Sequence, residues 1–193
     1  MFPRALFFLF FFSLLIFLIF FYLKEHFPSI SPSNNCTSNN CTSNTCICAF
    51  DLDNTITCGI DRAAEAIKTC KNLNCKIAFN TARTAKWHSD LDLNGLGLDP
   101  QDLDNDFYHG EEYRCSFSDR KCFEDTIAET KVKHLWTLSR KWNIKPSKII
   151  LFDDQISNID RAKAEGFATI LANHHHCGLP HGTKELIENI VNS

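Results

Sequence analysis

Acidic and hydroxyl side chains follow three short apolar runs of the chain, at the point where each run ends. They are Asp51, Asp53, Thr81, Asp153 and Asp154. Carboxylates that cluster beside buried strands are unfavourable, because like charges repel and burial removes their hydration. A divalent cation compensates such a cluster, and hard carboxylate oxygens together with water suit Mg²⁺ best. The pattern therefore predicts a magnesium site.

Strands that alternate with helices must hold these side chains together. We predict strands at residues 47–50, 76–80, 107–109, 149–152 and 168–172, and helices at residues 61–73, 129–142, 158–165 and 184–191. This alternation indicates an α/β fold of three layers, a Rossmann-like parallel sheet with helices on both faces. Ligands bind at the carboxyl ends of such strands, which is where the acidic residues stand.

Four segments of the chain resemble, in order, the motifs of the haloacid dehalogenase-like (HAD) hydrolase superfamily. AFDLDNT (49–55) resembles the first motif, D-x-D-x-T, and FNTAR (79–83) resembles the second, a strand that ends in Thr or Ser. Lys131 resembles the third-motif lysine at the start of a helix. IILFDDQISN (149–158) resembles the fourth motif in its acidic-pair form, as in the magnesium-dependent phosphatase branch. The resemblance covers residues 46–172 and implies a HAD-like fold.

The resemblance also implies roles for individual residues. Asp51 would attack phosphorus and form an aspartyl-phosphate, so the implied reaction is phosphomonoester hydrolysis. Asp53 would protonate the leaving oxygen and later activate water. Thr81 would bind a phosphoryl oxygen, and Lys131 would neutralise charge on the nucleophile and the phosphoryl group. Mg²⁺ would be held by Asp51, the main-chain carbonyl of Asp53, and Asp154.

Two of these assignments have competitors nearby in the sequence. Lys133 competes with Lys131, which we prefer because its distance from the expected helix end at Asn143 resembles the family spacing. Asp153 competes with Asp154 for the metal. We prefer Asp154, whose spacing to Asn158 and to the glycine after the next helix fits the family. Asp153 then stands where many members have glycine, and Asn158 replaces a frequent aspartate.

Arg83 and a histidine-rich run can each be interpreted in two ways. Arg83 follows the second motif and is interpreted equally well as a substrate contact or as a helix cap. The run His174 to Cys177, with His181, has residue types that bind metals. Consecutive residues cannot all face one ion, however, so we favour a solvated loop over a second metal site.

Residues 5–23 form an apolar run without a charged side chain. As a helix the run spans about 28 Å, close to the ~30 Å of a hydrocarbon core, so we predict a membrane anchor within residues 1–24. Arg4 precedes the run, whereas Lys24 is neutralised by Glu25. A cytosolic N-terminus and a lumenal or extracellular catalytic domain are therefore expected. The alternative is secretion after signal cleavage, which the length of the run disfavours.

Residues 25–45 form a linker rich in Ser, Asn and Cys, with little apolar periodicity. All ten cysteines follow the apolar run, which is typical of an oxidising compartment. Four of them are close together, namely Cys36, Cys41, Cys46 and Cys48. Their spacing fits no common zinc pattern, so we predict a disulfide-prone stalk rather than a metal site. Asn35 and Asn40 are acceptors for N-glycosylation in a host that glycosylates.

Residues 46–193 form the predicted HAD-like phosphatase domain, which has little room for a lid. Residues 82–130 leave space for a small flap near residues 111–125, stapled by Cys115 and Cys122. The chain thus resembles capless members, and its phosphorylated substrate is a small molecule or a macromolecule. The net charge of −3, without a basic cluster, predicts no nucleic-acid partner. The oligomeric state stays open.

Two other functions fit the same residues. The first is a phosphotransferase of the same fold, which passes the phosphoryl group to an organic acceptor instead of water. The second is a catalytically silent HAD-like binding module. The intact set of five implied residues argues against silence, because no structural role requires all of them.

Overall fold

The computed structural model describes residues 45–82, 93–99, 107–108, 115, 119–173 and 178–193. The described residues belong to one compact unit. No helix among them is long and apolar enough to cross a membrane. The predicted anchor, the two glycosylation acceptors, Arg83 and His174 to His176 lie outside the described residues.

Five parallel strands form the central sheet, in the order β3-β2-β1-β4-β5. They are β1 (Cys46–Phe50), β2 (Cys75–Asn80), β3 (Phe107–Tyr108), β4 (Ile149–Asp153) and β5 (Ala168–Leu171). Phe50 of the central strand is in register with Phe79 of β2 and Phe152 of β4. The three strands therefore end level with one another, and the α/β class with a parallel sheet is confirmed.

Helices cover both faces of the sheet. They are α1 (Ile60–Asn72), α2 (Arg120–Trp142), α3 (Ile156–Ala164) and α4 (Thr183–Asn192), with a 3₁₀ turn at Pro146–Lys148 before β4. Alternate residues of β1 face opposite sides: Cys48 and Phe50 pack with residues of α1 and α4. Ile47 and Ala49 pack with residues of α2 and α3. This two-residue alternation places every second side chain of β1 under α2.

The start of α2 differs from the sequence prediction. The helix begins at Arg120 instead of residue 129, so Lys131 lies in its interior and not at its start. Asp119 caps it by accepting a hydrogen bond from Cys122 N at 3.1 Å, and Arg120 pairs with Glu124 at 2.7 Å. The first turns carry only two large apolar residues, Phe123 and Ile127, which is too short a pattern for periodicity to mark the helix start. Part of the expected flap is therefore helical, while the bounds of the other elements agree within two residues.

The cysteines near the start of the domain pair differently from the stalk prediction. Cys46 and Cys48 belong to β1 and are fully buried, and they form disulfides with Cys75 and Cys70. Cys75 is the register partner of Cys46 in the neighbouring strand β2, whereas Cys70 lies in α1, which covers the face that Cys48 points to. The preference for disulfides over a metal site is confirmed for these two cysteines, but their placement in a stalk was wrong, because both belong to the sheet. The expected bond between Cys115 and Cys122 is confirmed, and Cys58 is also disulfide-bonded.

Candidate active site

Two neighbouring strands, β1 and β4, each lead into a carboxylate that faces α2. Ile47 and Ala49 face α2, and Asp51 continues this alternation one step beyond the strand. Asp153 continues the series of Ile149 and Leu151 in β4 in the same way. Asp51 N donates to Phe152 O at 2.8 Å, which extends the β1–β4 hydrogen-bond ladder past the apolar pairs. The two carboxylates are therefore held side by side under the helix.

Lys131 reaches from α2 to both carboxylates. Its Nζ atom donates to Asp51 Oδ1 at 2.7 Å and to Asp153 Oδ2 at 2.5 Å, and the residue is 3% exposed. Lys133, two positions further on, is exposed. The structure thus brings Lys131, and not its competitor, to the ends of the strands.

Asp153 is fully buried and accepts hydrogen bonds from three groups. Gln155 N and Asn158 Nδ2 both donate to its Oδ1 atom at 2.9 Å, and Lys131 donates to its Oδ2 atom. Both oxygens are therefore occupied by protein donors. This arrangement suits a residue that positions the lysine better than one that binds a cation. The bond from Asn158 Nδ2 to Asp153 gives this buried amide its partner, since Asn158 Oδ1 has no hydrogen-bond partner among the described residues.

Asp154 is the neighbouring carboxylate, 5% exposed. Its Oδ2 atom accepts from Asn54 Nδ2 at 3.1 Å and from Gln155 Nε2 at 3.0 Å. Carboxylate oxygens of Asp51, Asp153 and Asp154 lie within 4.8 Å of one another. Within the described ranges, Asp51 Oδ2 and Asp154 Oδ1 have no protein donor.

The electrostatics of this group favour an additional cation. Three carboxylates against the single ammonium of Lys131 leave a formal charge of −2 in a buried site. Burial raises the pKa of Asp51 to about 7; Lys131 lowers it, and Asp153 and Asp154 raise it further. Burial alone would lower the pKa of Lys131, but Asp51 and Asp153 outweigh it and the pKa is raised. The lysine stays protonated while excess negative charge remains.

The donor set fits a hard divalent cation. It consists of oxygen atoms only, and the two oxygens without a protein donor within the described ranges belong to Asp51 and Asp154. A charge of +2 would balance the formal charge of the buried group. Carboxylates with water are typical ligands of Mg²⁺, whereas zinc sites in proteins use mainly His and Cys.

Asp53 and Thr81 complete the set that the sequence predicts. Asp53 is half-buried, and its carboxylate does not belong to the group of three. Its main-chain carbonyl, the expected metal ligand, accepts from Thr55 N at 2.6 Å. Thr81 is 1% exposed and directly follows β2 beside β1.

Asn80 and Asn54 are site residues that the sequence analysis missed. Asn80 is fully buried at the end of β2, and its Nδ2 atom donates to the carbonyl of Lys131 at 3.1 Å. The signal was a polar side chain that ends an apolar strand on the α2 face, next to Asp51. Asparagine is a common turn residue, and Asn54 does have a left-handed backbone, with φ 55°. Its residue type therefore gave no sign of the contact with Asp154.

Comparisons with known proteins add little to this geometry. No family model matches the chain, and no curated protein matches it. The chain is similar to a crystal structure of an uncharacterized protein from Corynebacterium glutamicum. The two are 10% identical, with a TM-score of 0.48, over 76% of this chain and 94% of that one. A likeness of this size carries no argument about function.

Proposed function

We propose that this chain is a magnesium-dependent phosphohydrolase of the HAD-like type, which hydrolyses phosphomonoesters through an aspartyl-phosphate on Asp51. The supporting observation is the buried group of Asp51, Asp153 and Asp154, bridged by Lys131. A structural ion pair needs one carboxylate for one lysine, whereas here three carboxylates share one lysine and negative charge is left in excess. Buried excess charge is costly unless a cation or a substrate compensates it.

Asp51 is the nucleophile in this proposal. An oxygen of Asp51 forms a bond to phosphorus while the bond from phosphorus to the leaving oxygen breaks. Lys131 holds Asp51 Oδ1 at 2.7 Å, so the ammonium orients the carboxylate and offsets charge on the phosphoryl group. Asp153 in turn fixes the lysine. A bound Mg²⁺ would supply further charge neutralisation, with Asp51 and Asp154 as its carboxylate ligands.

Asp53 and Thr81 serve the remaining steps. Asp53 is half-buried, so it has access to solvent and can exchange the proton that it gives to the leaving oxygen. In the second step Asp53 takes a proton from water, which attacks phosphorus and releases Asp51. Thr81 directly follows β2, the strand next to β1, and in this proposal it donates its hydroxyl proton to a phosphoryl oxygen.

The disulfides support the proposed location of the domain. Two of them, Cys46–Cys75 and Cys48–Cys70, lie inside the fold, and such bonds persist in secreted and lumenal proteins. We therefore propose a single-pass membrane protein whose catalytic domain is lumenal or extracellular. Secretion after cleavage of residues 5–23 is the alternative that would place the domain in the same compartment.

The test is a phosphatase screen of the full-length chain, with magnesium and with excess chelator. Turnover should require magnesium, and Asp51→Asn should abolish both turnover and the trapping of labelled phosphate on the protein. Asp160→Asn, the same substitution at an exposed aspartate of α3, is the matched control and should behave as wild type. Full activity in excess chelator, or label trapped by Asp51→Asn, would contradict the proposal.

The same screen separates the two other functions. Label that passes from the protein to an added alcohol instead of water would identify a phosphotransferase. If no substrate labels the protein or turns over, while beryllofluoride still binds, the chain is a binding module. Beryllofluoride is informative here because it mimics an aspartyl-phosphate without requiring turnover.

A further inference from the structure

Two side-chain amides hold the same oxygen of Asp154. Asn54 Nδ2 and Gln155 Nε2 donate to Asp154 Oδ2, at 3.1 and 3.0 Å. Hydrogen bonds that converge on one carboxylate oxygen fix the rotation of the carboxyl group and leave the other oxygen exposed to a ligand. Asp154 Oδ1 is the oxygen left without a protein donor within the described ranges.

The two amides differ in what they connect. Both residues are exposed, but Gln155 is the next residue in the chain, so its bond links Asp154 only to its own loop. Asn54 is separated from Asp154 by 100 positions and lies in the loop that follows Asp51 and Asp53. Its bond therefore ties the loop after β1 to the end of β4, the two segments whose carboxylates must meet.

The turn itself does not explain an asparagine at position 54. The backbone of Asn54 is left-handed, and glycine adopts this conformation at least as readily as asparagine does. Main-chain groups already hold the loop: Asn54 N donates to Thr57 Oγ1 at 3.2 Å, and Ile56 N donates to Leu52 O at 3.1 Å. What asparagine adds over glycine is the amide that reaches Asp154.

We propose that Asn54 is a positioning residue for the cation site, which orients Asp154 so that its Oδ1 atom faces the divalent cation. The inference rests on the proposed function in one respect, that Asp154 is a metal ligand. It assigns to Asn54 an effect on cation affinity, with little effect on the chemical step once the site is filled. Partners of ligating carboxylates typically change metal affinity 10- to 100-fold when they are removed.

Asn54→Gly is the informative variant, because it deletes the amide and keeps the left-handed backbone free of strain. Asn143→Gly is the matched control. Asn143 is also left-handed, with φ 52°, but it is exposed and caps the far end of α2. Asp154→Asn serves as the control for the ligand itself, since it weakens the direct contact.

The experiment uses the full-length chain in detergent and Mn²⁺ as the probe, with free Mn²⁺ measured by electron paramagnetic resonance. Asn54→Gly should raise the Kd for Mn²⁺ about 10-fold, while Asn143→Gly leaves it unchanged. The magnesium concentration for half-maximal turnover should rise by the same factor, with kcat at saturating magnesium and the KM for substrate close to wild type. In chelator, Asn54→Gly should still unfold in one cooperative transition with the slope of wild type, which excludes a general loss of structure, and its midpoint should fall only by the loss of one hydrogen bond to a carboxylate.

Three results would overturn the inference, and they are distinguishable. If Asn54→Gly binds Mn²⁺ as tightly as wild type does, Asn54 serves only the turn, and the proposed function is unaffected. If wild type and Asp154→Asn bind Mn²⁺ equally weakly, Asp154 is no ligand, and both this inference and the metal-dependent function fail. A lower kcat at saturating metal, with unchanged Kd, would also contradict a role in cation affinity.

Discussion

Replacing Asp51 by asparagine in the metal-free protein is expected to raise the free energy of unfolding at pH 8, although the substitution removes a partner of Lys131. Asparagine keeps the size of the side chain and an oxygen that accepts from Lys131. It removes one of three carboxylates that share a buried site with a single ammonium. Burial, with Asp153 and Asp154 nearby, makes the ionised form of Asp51 unfavourable in the native state.

The expected gain in the free energy of unfolding follows from the pKa of Asp51, which is about 7 in the native protein and 3.8 without these surroundings. Between these two values the native state binds more protons than the unfolded state. The contribution of Asp51 to stability is therefore fully present below pH 4 and is lost as the pH rises to 7. Three pH units correspond to up to about 4 kcal/mol, since each unit is worth ~1.4 kcal/mol. Wild type and Asp51→Asn should be equally stable near pH 4 and differ most above pH 7.

Urea unfolding between pH 4 and pH 8, with chelator present and disulfides intact, measures this difference. For a slope of about 2 kcal/mol/M, the midpoint of Asp51→Asn at pH 8 should lie up to ~2 M above that of wild type. Asp160→Asn should show no such pH-dependent difference. Saturating magnesium should stabilise wild type more than Asp51→Asn, because the cation binds the ionised carboxylate. The reasoning is refuted if Asp51→Asn is less stable than wild type at pH 8 without cation, or if the difference does not depend on pH.

Three further outcomes are expected. Lys131→Met should abolish turnover and destabilise the protein by about 3–5 kcal/mol at pH 8, because it leaves buried carboxylates without a cation. Lys133→Met, at an exposed position, should change neither turnover nor stability. Turnover assays and urea unfolding measure the two effects. Asp53→Asn should slow turnover of alkyl phosphates by about 10²–10⁴-fold and of aryl phosphates much less, since aryl leaving groups need no protonation. Rapid quench should detect accumulated phosphoenzyme in this variant. Equal losses of turnover for both substrate types would exclude an acid role. In a host that glycosylates, Asn35 and Asn40 should be modified and the domain should resist protease in sealed vesicles; digestion from the cytosolic side would contradict the lumenal topology.

The α/β class, the order of the elements and the strand ends at which the acidic residues stand were all predictable from the sequence alone. These features depend on local patterns, namely short apolar runs, helical periodicity and the polar residues that end each run. Lys131 and its distance from the helix end at Asn143 were also visible, because a helix keeps a regular spacing. The start of α2 was not visible, since its first turns carry only Phe123 and Ile127 as large apolar residues.

Which groups within the site face each other depends on the tertiary structure. Asp153 and Asp154 are adjacent and chemically identical, and their different surroundings arise because one faces α2 and the other faces the loop after β1. The bond between Asn54 and Asp154 and the disulfide partners of β1 likewise join residues far apart in the chain. Such contacts depend on the register of strands and the packing of helices across the sheet, and no local pattern of residues records them.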